Sequence, residues 1–360
     1  MRWLLLFLIL SQQAFSQEKI TNRSYFKKFL NADDSKRLLI IGENHASAVS
    51  SLIYPNTVKY LNRKTGLRTL LVEFGPAEAF FYNKYLETGN EKHLNYTLYA
   101  GAIKGWREAW RELYKYNQKL KQPLHVQGVD FDRTRTMAYA LYSIFMAYDD
   151  KPDFVKELMT EIRDDSFYKT YTIGYPTAKD LQWNKKTKEL LKRKLTELNS
   201  FLSEEDGKVI GEILDNKAVS YSKEREKALA ANTQRIINNS AETDFLLLIG
   251  RSHAYLNPVY GSNVSLARML SDSTDIQIRT GSLLYENTDM YVKKGDPITL
   301  FEIKKKTPWK RYYDSFQRMA VKDITLIPFT SDLWPLMHYS DFAIIVKNQK
   351  AYELLSKASK

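Results

Sequence analysis

The chain has no cysteine in its 360 residues. That excludes disulfides, thiolate metal sites, a thiol nucleophile and a lipid anchor on an N-terminal cysteine. Long apolar runs are equally scarce. After the N-terminal segment, no stretch approaches the about 18 continuous apolar residues of a membrane span. There is no repeat of solenoid length and no low-complexity segment. HExxH is absent, so a helix-borne zinc protease site is excluded; GxSxG is absent, and with it the common serine hydrolase scheme. A glycine-rich phosphate loop is also missing.

The first residues, MRWLLLFLILSQQAFSQ, combine a basic start at Arg2, an apolar run from Trp3 to Leu10 and a small-residue stop at Ala14 to Ser16. This pattern predicts a secretory signal peptide over residues 1–16, cleaved before Gln17. Export without a single cysteine points to a bacterial protein, periplasmic or released. Hydrophobic content of 44% and aromatic content of 13% fit a globular chain with a real core. The formal net charge is +12 and the pI about 9.3, with basic clusters at Lys185–Lys194 and Lys304–Arg311. Such clusters suit either an anionic partner or a solvated face. Glu189 and Glu197 stand among the first cluster at helical spacing, and export argues against nucleic acid, so no nucleic-acid partner is expected.

Apolar runs alternate with helical patterns along the chain. Residues 38–42, Thr69–Phe74, Leu124–Asp130 and Asp244–Gly250 read as strands one to four. Ile276–Tyr285, Ile324–Ile327 and Asp341–Lys347 read as further strands. Helices are expected over Leu52–Leu61 (ending near Gly66), Ala77–Leu86, Gly101–Leu120, Met137–Ala147 and Val264–Leu270. Continuous apolar strands between helices predict an α/β fold, a mostly parallel central sheet flanked by helices. Residues 150–240 are polar, charged and helical in pattern. The division is therefore a core over 17–149, a helical insertion acting as cap or lid over 150–240, between strands three and four, and the rest of the core over 241–360.

Four strands end in polar residues. Strand one runs into Gly42-Glu43-Asn44-His45, strand two into Glu73, strand three into Asp130 and strand four into Gly250-Arg251-Ser252-His253. In a parallel sheet these ends share the carboxyl edge, where open α/β folds place ligands. Each residue has a plain structural alternative. A histidine after a strand is often only hydrogen-bonded, Glu73 could pair a core arginine, and Asp130 could cap a helix. The repetition of Gly-x-x-His after two apolar strands favours a shared site. His45 would take a proton from water, with Glu43 or Glu73 orienting its ring. Arg251 would stabilise an oxyanion. Alternatively His45, Glu73 and His253 would hold a divalent metal such as zinc, manganese or cobalt. Arg225 and Asn232 fall on one helical stripe with Leu229 and Ile236, as substrate contacts or as buried structural groups. Trp106, on the stripe of the 101–120 helix, is a further candidate substrate contact.

GENH after strand one, LLVEF, the helix ending YKYN, VQGVDFD, REKALAAN and LIGRSH together resemble the erythromycin esterase-like proteins. The paired Gly-x-x-His motifs with a glutamate are also similar to the wider superfamily of Tiki, TraB and ChaN proteins. The resemblance covers roughly residues 35–350. It implies an α/β core with a helical insertion and a site on His45, Glu73 and His253. In the esterases it implies a histidine base that activates water against a lactone. In Tiki-like proteins it implies metal-dependent peptide cleavage, and in ChaN-like proteins haem binding. The esterases carry Gly-Glu-x-x-His-Gly, whereas this chain has Gly42-Glu43-Asn44-His45-Ala46. The shorter spacing points away from a macrolide and toward the Tiki-type arrangement. The expectation is an exported hydrolase acting on a small-molecule or peptide ester, lactone or amide. Its alternative is a periplasmic haem- or metal-binding protein without turnover.

Overall fold

The structure, a computed structural model, describes residues 35–45, 47–164, 177–217, 224–257, 264–290, 299–301, 309–320, 322–329, 331–350 and 353–355. The expected signal peptide and residues 304–308 of the second basic cluster lie outside the described residues. The chain forms two compact units. The first draws on Met1–Arg68, Lys104–Leu113 and Ala241–Leu354, the second on Thr69–Ile103, Tyr114–Ser240 and Leu355–Lys360.

Five of the sheet strands belong to the first unit. They are β1 (Arg37–Glu43), β4 (Asp244–Gly250), β5 (Gln277–Glu286), β8 (Ile324–Pro328) and β9 (Phe342–Lys347), in the order β4-β1-β5-β9-β8. All neighbours are parallel except β8, which runs antiparallel to β9. Every residue of β1 is buried, as the continuous run LLII requires of a strand covered on both faces. At its start Arg37 is also buried, and it forks onto Asp244 of β4 through Nε to Oδ1 at 2.7 Å and Nη2 to Oδ2 at 2.8 Å. Arg37 and Asp244 are direct partners in the β1–β4 register. A slip by one residue would break this two-pronged pair and reverse every side chain of the strand.

Helix α1 (Val49–Thr65) follows β1 and ends at Gly66, whose left-handed φ of 80° closes the last turn with an N–H bond to the Asn62 carbonyl. The short β6 (Thr288–Met290) and β7 (Thr299–Phe301) pair antiparallel. They are not visible in the apolar pattern; β8 is, as the run Ile324–Ile327, but its reversed direction is not.

The second unit holds the parallel pair β2 (Thr69–Val72) and β3 (His125–Gly128), registered from Thr69 with His125 to Val72 with Gly128. Both strands end two residues earlier than the apolar runs suggest. Gly128 packs directly on Gly75, where an added Cβ would lie 2.3 Å from the Gly75 carbonyl carbon. Beyond that contact the amides of Val129 and Asp130 turn to the carbonyls of Val72 and Phe74. Helix α2 is Pro76–Thr88, and α3 (Lys104–Asn117) begins in the first unit and ends in the second.

Between β3 and β4 come α4 (Thr134–Met146), α5 (Asp153–Asp164), α6 (Ala178–Arg193), α7 (Leu195–Phe201), α8 (Glu204–Asp215) and α9 (Arg225–Asn239), the helical insertion. Its apolar faces join α2 around Phe81, Leu141, Phe145, Leu158, Trp183 and Ile213. Three side-chain amides stitch the insertion to the loop after β3: Asn184 to the Asp132 carbonyl, Asn216 to that of Asp130 and Asn232 to that of Val129. The loop's buried carbonyls are thereby satisfied without a strand partner. In α6, Lys188 meets Asp132 at 3.3 Å and Lys186 lies near Glu161 at 3.8 Å. Among the described residues no helix is long and apolar enough to cross a membrane.

The carboxyl end of β1 is held by close packing of α10 (Arg251–Ala254), the short helix that follows β4. A Cβ on Gly42 would sit 2.7 Å from the Ala254 Cβ and 2.9 Å from the Arg251 Cα. Gly42→Ala is therefore expected to destabilise the protein by about 1–3 kcal/mol, read as a lower midpoint in denaturant. An unchanged midpoint would mean that α10 is not seated on β1.

Candidate active site

In the first unit, β1 delivers Glu43 opposite Gly250 of β4, and α10 starts at the next residue. Glu43 is 3% exposed, so its charge must be met by hydrogen bonds. Its Oε1 meets His45 Nδ1, and its Oε2 accepts from Ser50 Oγ at 2.5 Å. An ionised carboxylate only accepts, so the pairing assigns the proton to Nδ1 and the lone pair to Nε2 of His45. The His45 side chain is 42% exposed. A buried acid thus holds a solvent-facing imidazole in one tautomer.

Tyr285, near the end of β5, accepts from the Asn44 amide at 2.9 Å. Burial pushes its phenol well above the ordinary tyrosine range. The Glu43 charge adds to that shift, and the Asn44 hydrogen bond and the Arg251 charge oppose it. Arg251 donates through Nη1 to the Leu283 carbonyl of β5 at 3.1 Å. His253, two residues along α10, is buried. Trp106 is buried as well, its ring 5.6 Å from that of Tyr54, within the packing of α1 against α3.

The second unit carries a separate set of buried charges. Arg225, the first residue of α9, donates from Nε and Nη2 to the two oxygens of Asp130 at 3.1 and 2.6 Å, and from Nη2 to Glu73 Oε1 at 2.8 Å. Its guanidinium also lies over the Phe131 ring at 5.8 Å. Burial raises the Asp130 carboxyl above its ordinary value, while Arg225 opposes the rise. Asn232, two turns further along α9, is buried on the Val129 carbonyl and on Asn216. Asp130 does not cap α4. Its neighbour Asp132 caps α2 from across the unit, accepting from the Ala77 amide at 2.9 Å. Glu78 is buried too, accepts from the Leu98 amide at 2.7 Å and lies 3.8 Å from Arg133. Burial, opposed mainly by Arg133, pushes its carboxyl up to about 7.

The candidate residues therefore fall into two sets. Glu43, His45, Arg251, His253 and Trp106 belong to the first unit; Glu73, Asp130, Arg225 and Asn232 belong to the second. Among the described residues, no group of three or more His, Asp or Glu side chains is arranged to hold a metal ion. Ser50, Tyr285, Glu78 and Asp132 escaped the sequence reading. Tyr285 had a signal, since it stands at the end of a fifth apolar strand.

No protein-family model matches the chain, and no curated protein matches its sequence. Solved structures do match the fold. A Bacillus cereus protein superposes with a TM-score of 0.61 at 14% identity, covering 91% of this chain and 95% of its own. A succinoglycan biosynthesis protein gives 0.64 at 13% identity, over 91% of each chain. An EreC erythromycin esterase mutant in its open conformation gives 0.58 at 15% identity, over 88% of this chain and 91% of its own. The chain shares the fold of these three structures. At these identities the likeness is one of fold, and chemistry must be argued from the side chains.

Two outcomes test the buried charges of this fold's second unit. Arg225→Ala strands Asp130 and Glu73 without their shared cation and is expected to cost about 3–5 kcal/mol in urea denaturation; a loss under about 1 kcal/mol would show that water compensates. Glu78 binds its proton more tightly when folded than unfolded. Its contribution to stability is therefore fully present below 4.5 and is lost as pH rises through about 7. Glu78→Gln keeps an acceptor for Leu98. It should flatten that part of the stability–pH curve, leaving the variant more stable than the parent by roughly 1–3 kcal/mol above neutrality.

Proposed function

We propose that the chain is an exported hydrolase in which His45 activates water against an ester, lactone or amide carbonyl of a small molecule or peptide. The observation that carries this reading is the Glu43–His45 pair at the carboxyl end of β1: a buried, doubly bonded carboxylate holding an exposed imidazole. With the proton on Nδ1, the Nε2 lone pair is the base. As Nε2 takes the water's proton, the ring becomes cationic, and Glu43 balances that charge at hydrogen-bond distance. Water's oxygen bonds to the carbonyl carbon, and the oxyanion that develops is met by Arg251. The oxyanion then collapses to a carbonyl, the bond from its carbon to the leaving oxygen or nitrogen breaks, and the imidazolium returns its proton to that departing atom. His253, on the same short helix as Arg251, contributes a second polar group beside the reacting carbonyl. Trp106, of the same unit, is proposed to shape substrate binding; Glu73, Asp130, Arg225 and Asn232 are engaged with one another and with the loop after β3 in the second unit and take no part in this step. Export through residues 1–16 to a bacterial periplasm or medium is part of the same reading.

The test is hydrolysis of a panel of esters, lactones and peptides by protein beginning at Gln17, repeated with chelator and with His45→Ala. Turnover that falls by at least about 100-fold in His45→Ala is expected, and loss of turnover with chelator would assign the activated water to a metal. An unchanged rate in His45→Ala would sink the assignment. No turnover on any substrate, together with a visible absorption band on adding haem, would replace it with haem binding without turnover.

A further inference from the structure

We infer that Ser50 is a positioning residue for the hydrolytic step: its hydroxyl locks the Glu43 carboxylate in the orientation that presents Oε1 to the imidazole, and so holds His45 through the acid. This deepens the proposed hydrolytic reading and rests on it for the catalytic consequence alone.

A carboxylate at the end of a glutamate side chain turns easily about its last bond. Tied only to a part-exposed ring, Glu43 would turn with that ring. A second bond removes the freedom. Oε2 accepts from Ser50 Oγ at 2.5 Å while Oε1 meets His45 Nδ1, and a planar group held at both oxygens has its plane fixed. The bond is charge-assisted and dry. Glu43 is 3% exposed and Ser50 1%, so loss of the hydroxyl would leave a buried carboxylate oxygen without its donor.

Ser50 is itself held in place. It is the second residue of α1, a helix of 17 residues, and the connection that leads into it is closed by its own hydrogen bonds. The Ser47 amide donates to the Asn44 carbonyl at 3.1 Å, the Val49 amide to Ser47 Oγ at 3.3 Å and Ser51 Oγ to the Ala48 carbonyl at 2.7 Å. The chain thus leaves β1 at Glu43 and brings a rigid hydroxyl back to the same carboxylate. The positive end of α1, which has no side-chain cap from Ala48, lies beside that negative charge.

The same bonds set aside the other role that a serine near a histidine suggests. Ser50 gives its single proton to Glu43 and Ser51 gives its own to a carbonyl. Neither hydroxyl is turned to His45, and both residues are buried. Attack on the substrate carbonyl is left to water, and the serine acts on it only through the acid and the ring.

The test uses protein beginning at Gln17, as in the hydrolysis assay. Near neutral pH, ¹H NMR is expected to show the His45 Nδ1 proton as a slowly exchanging downfield signal, assigned by its loss in His45→Ala. In Ser50→Ala that proton should exchange with water at least about tenfold faster, the effect of losing one hydrogen bond to a charged group. Ser50→Cys, close in size and only a weak donor, should do the same and keeps the test open if the alanine variant does not fold. On an ester of the panel that the parent protein hydrolyses, kcat should fall about tenfold in both variants while KM stays within about twofold. A loss confined to KM, or an unchanged exchange rate in either folded variant, would overturn the inference. So would the absence of a protected Nδ1 proton in the unsubstituted protein, whether or not a variant folds. The exchange rate is read without substrate, so failure of this inference and failure of the hydrolytic reading are separate results.

Discussion

The register between β1 and its parallel neighbours is the constraint on which the first unit depends. Arg37 and Asp244 fork together at the start of the two strands, and six residues later that alignment sets Glu43 against Gly250. On the other side of β1, Gly42 stands against Ser282 of β5. β1 and β4 thus reach their carboxyl ends at one level, while β5 runs on to Glu286 and carries Tyr285 past them. A buried ion pair of this sort adds little net stability over an apolar pair, since desolvation offsets most of the attraction. Its effect here is specific: any other register leaves a buried arginine and a buried aspartate apart. The polar strand ends inherit their positions from that exclusion.

Much of this was legible in the sequence. Continuous apolar runs marked the strands because strands buried on both faces have no polar side to show, and the polar residues at their ends stood out against that background. Pairing within the site was harder to read. Both Glu43 and Glu73 were candidates to orient His45, and it is Glu43 that does so. Glu43 is the last residue of the strand and His45 stands in the turn that follows, which bends the ring back onto the acid. Glu73 instead meets Arg225, from a helix about 150 residues later. No periodicity encodes such a long-range partnership. Ser50 was missed for a local reason. Helix α1 begins at Val49 behind Ala48, which offers no side-chain cap, so the usual signal of a helix start is lacking. The pattern of apolar residues became recognisable only from Leu52. Helix α10, with four residues, is too short to carry any period at all.

The second unit treats its charges differently. There the loop after β3 gathers Asp130 and Asp132, with Glu73 and Glu78 from the chain around β2 and α2, against Arg225, Arg133 and Lys188. Four acids face three cations, and the surplus falls on Glu78, the one carboxyl of the group pushed up to about 7. A proton is the cheapest way to neutralise an acid that lacks a full partner. The asparagines of the insertion add neutral hydrogen bonds to the same loop. The insertion is thereby tied to the loop after β3 by polar groups, while its apolar residues pack it against α2.

The contrast between the two sets bears on which of them does chemistry. In the Arg225 set each strong acceptor faces a permanent cation, so the favourable state is the charged one and proton transfer would cost the whole pair. In the Glu43 set the partner of the acid is an imidazole, whose charge is conditional. A carboxylate beside a neutral ring is poised for the ring to become cationic, because the new charge arrives already paired. Ser50 gives its one hydroxyl proton to the other oxygen of Glu43, so both oxygens of the acid accept, one from a serine and one from the ring. The acid thus holds Nδ1, and Nε2 carries the lone pair of the neutral imidazole.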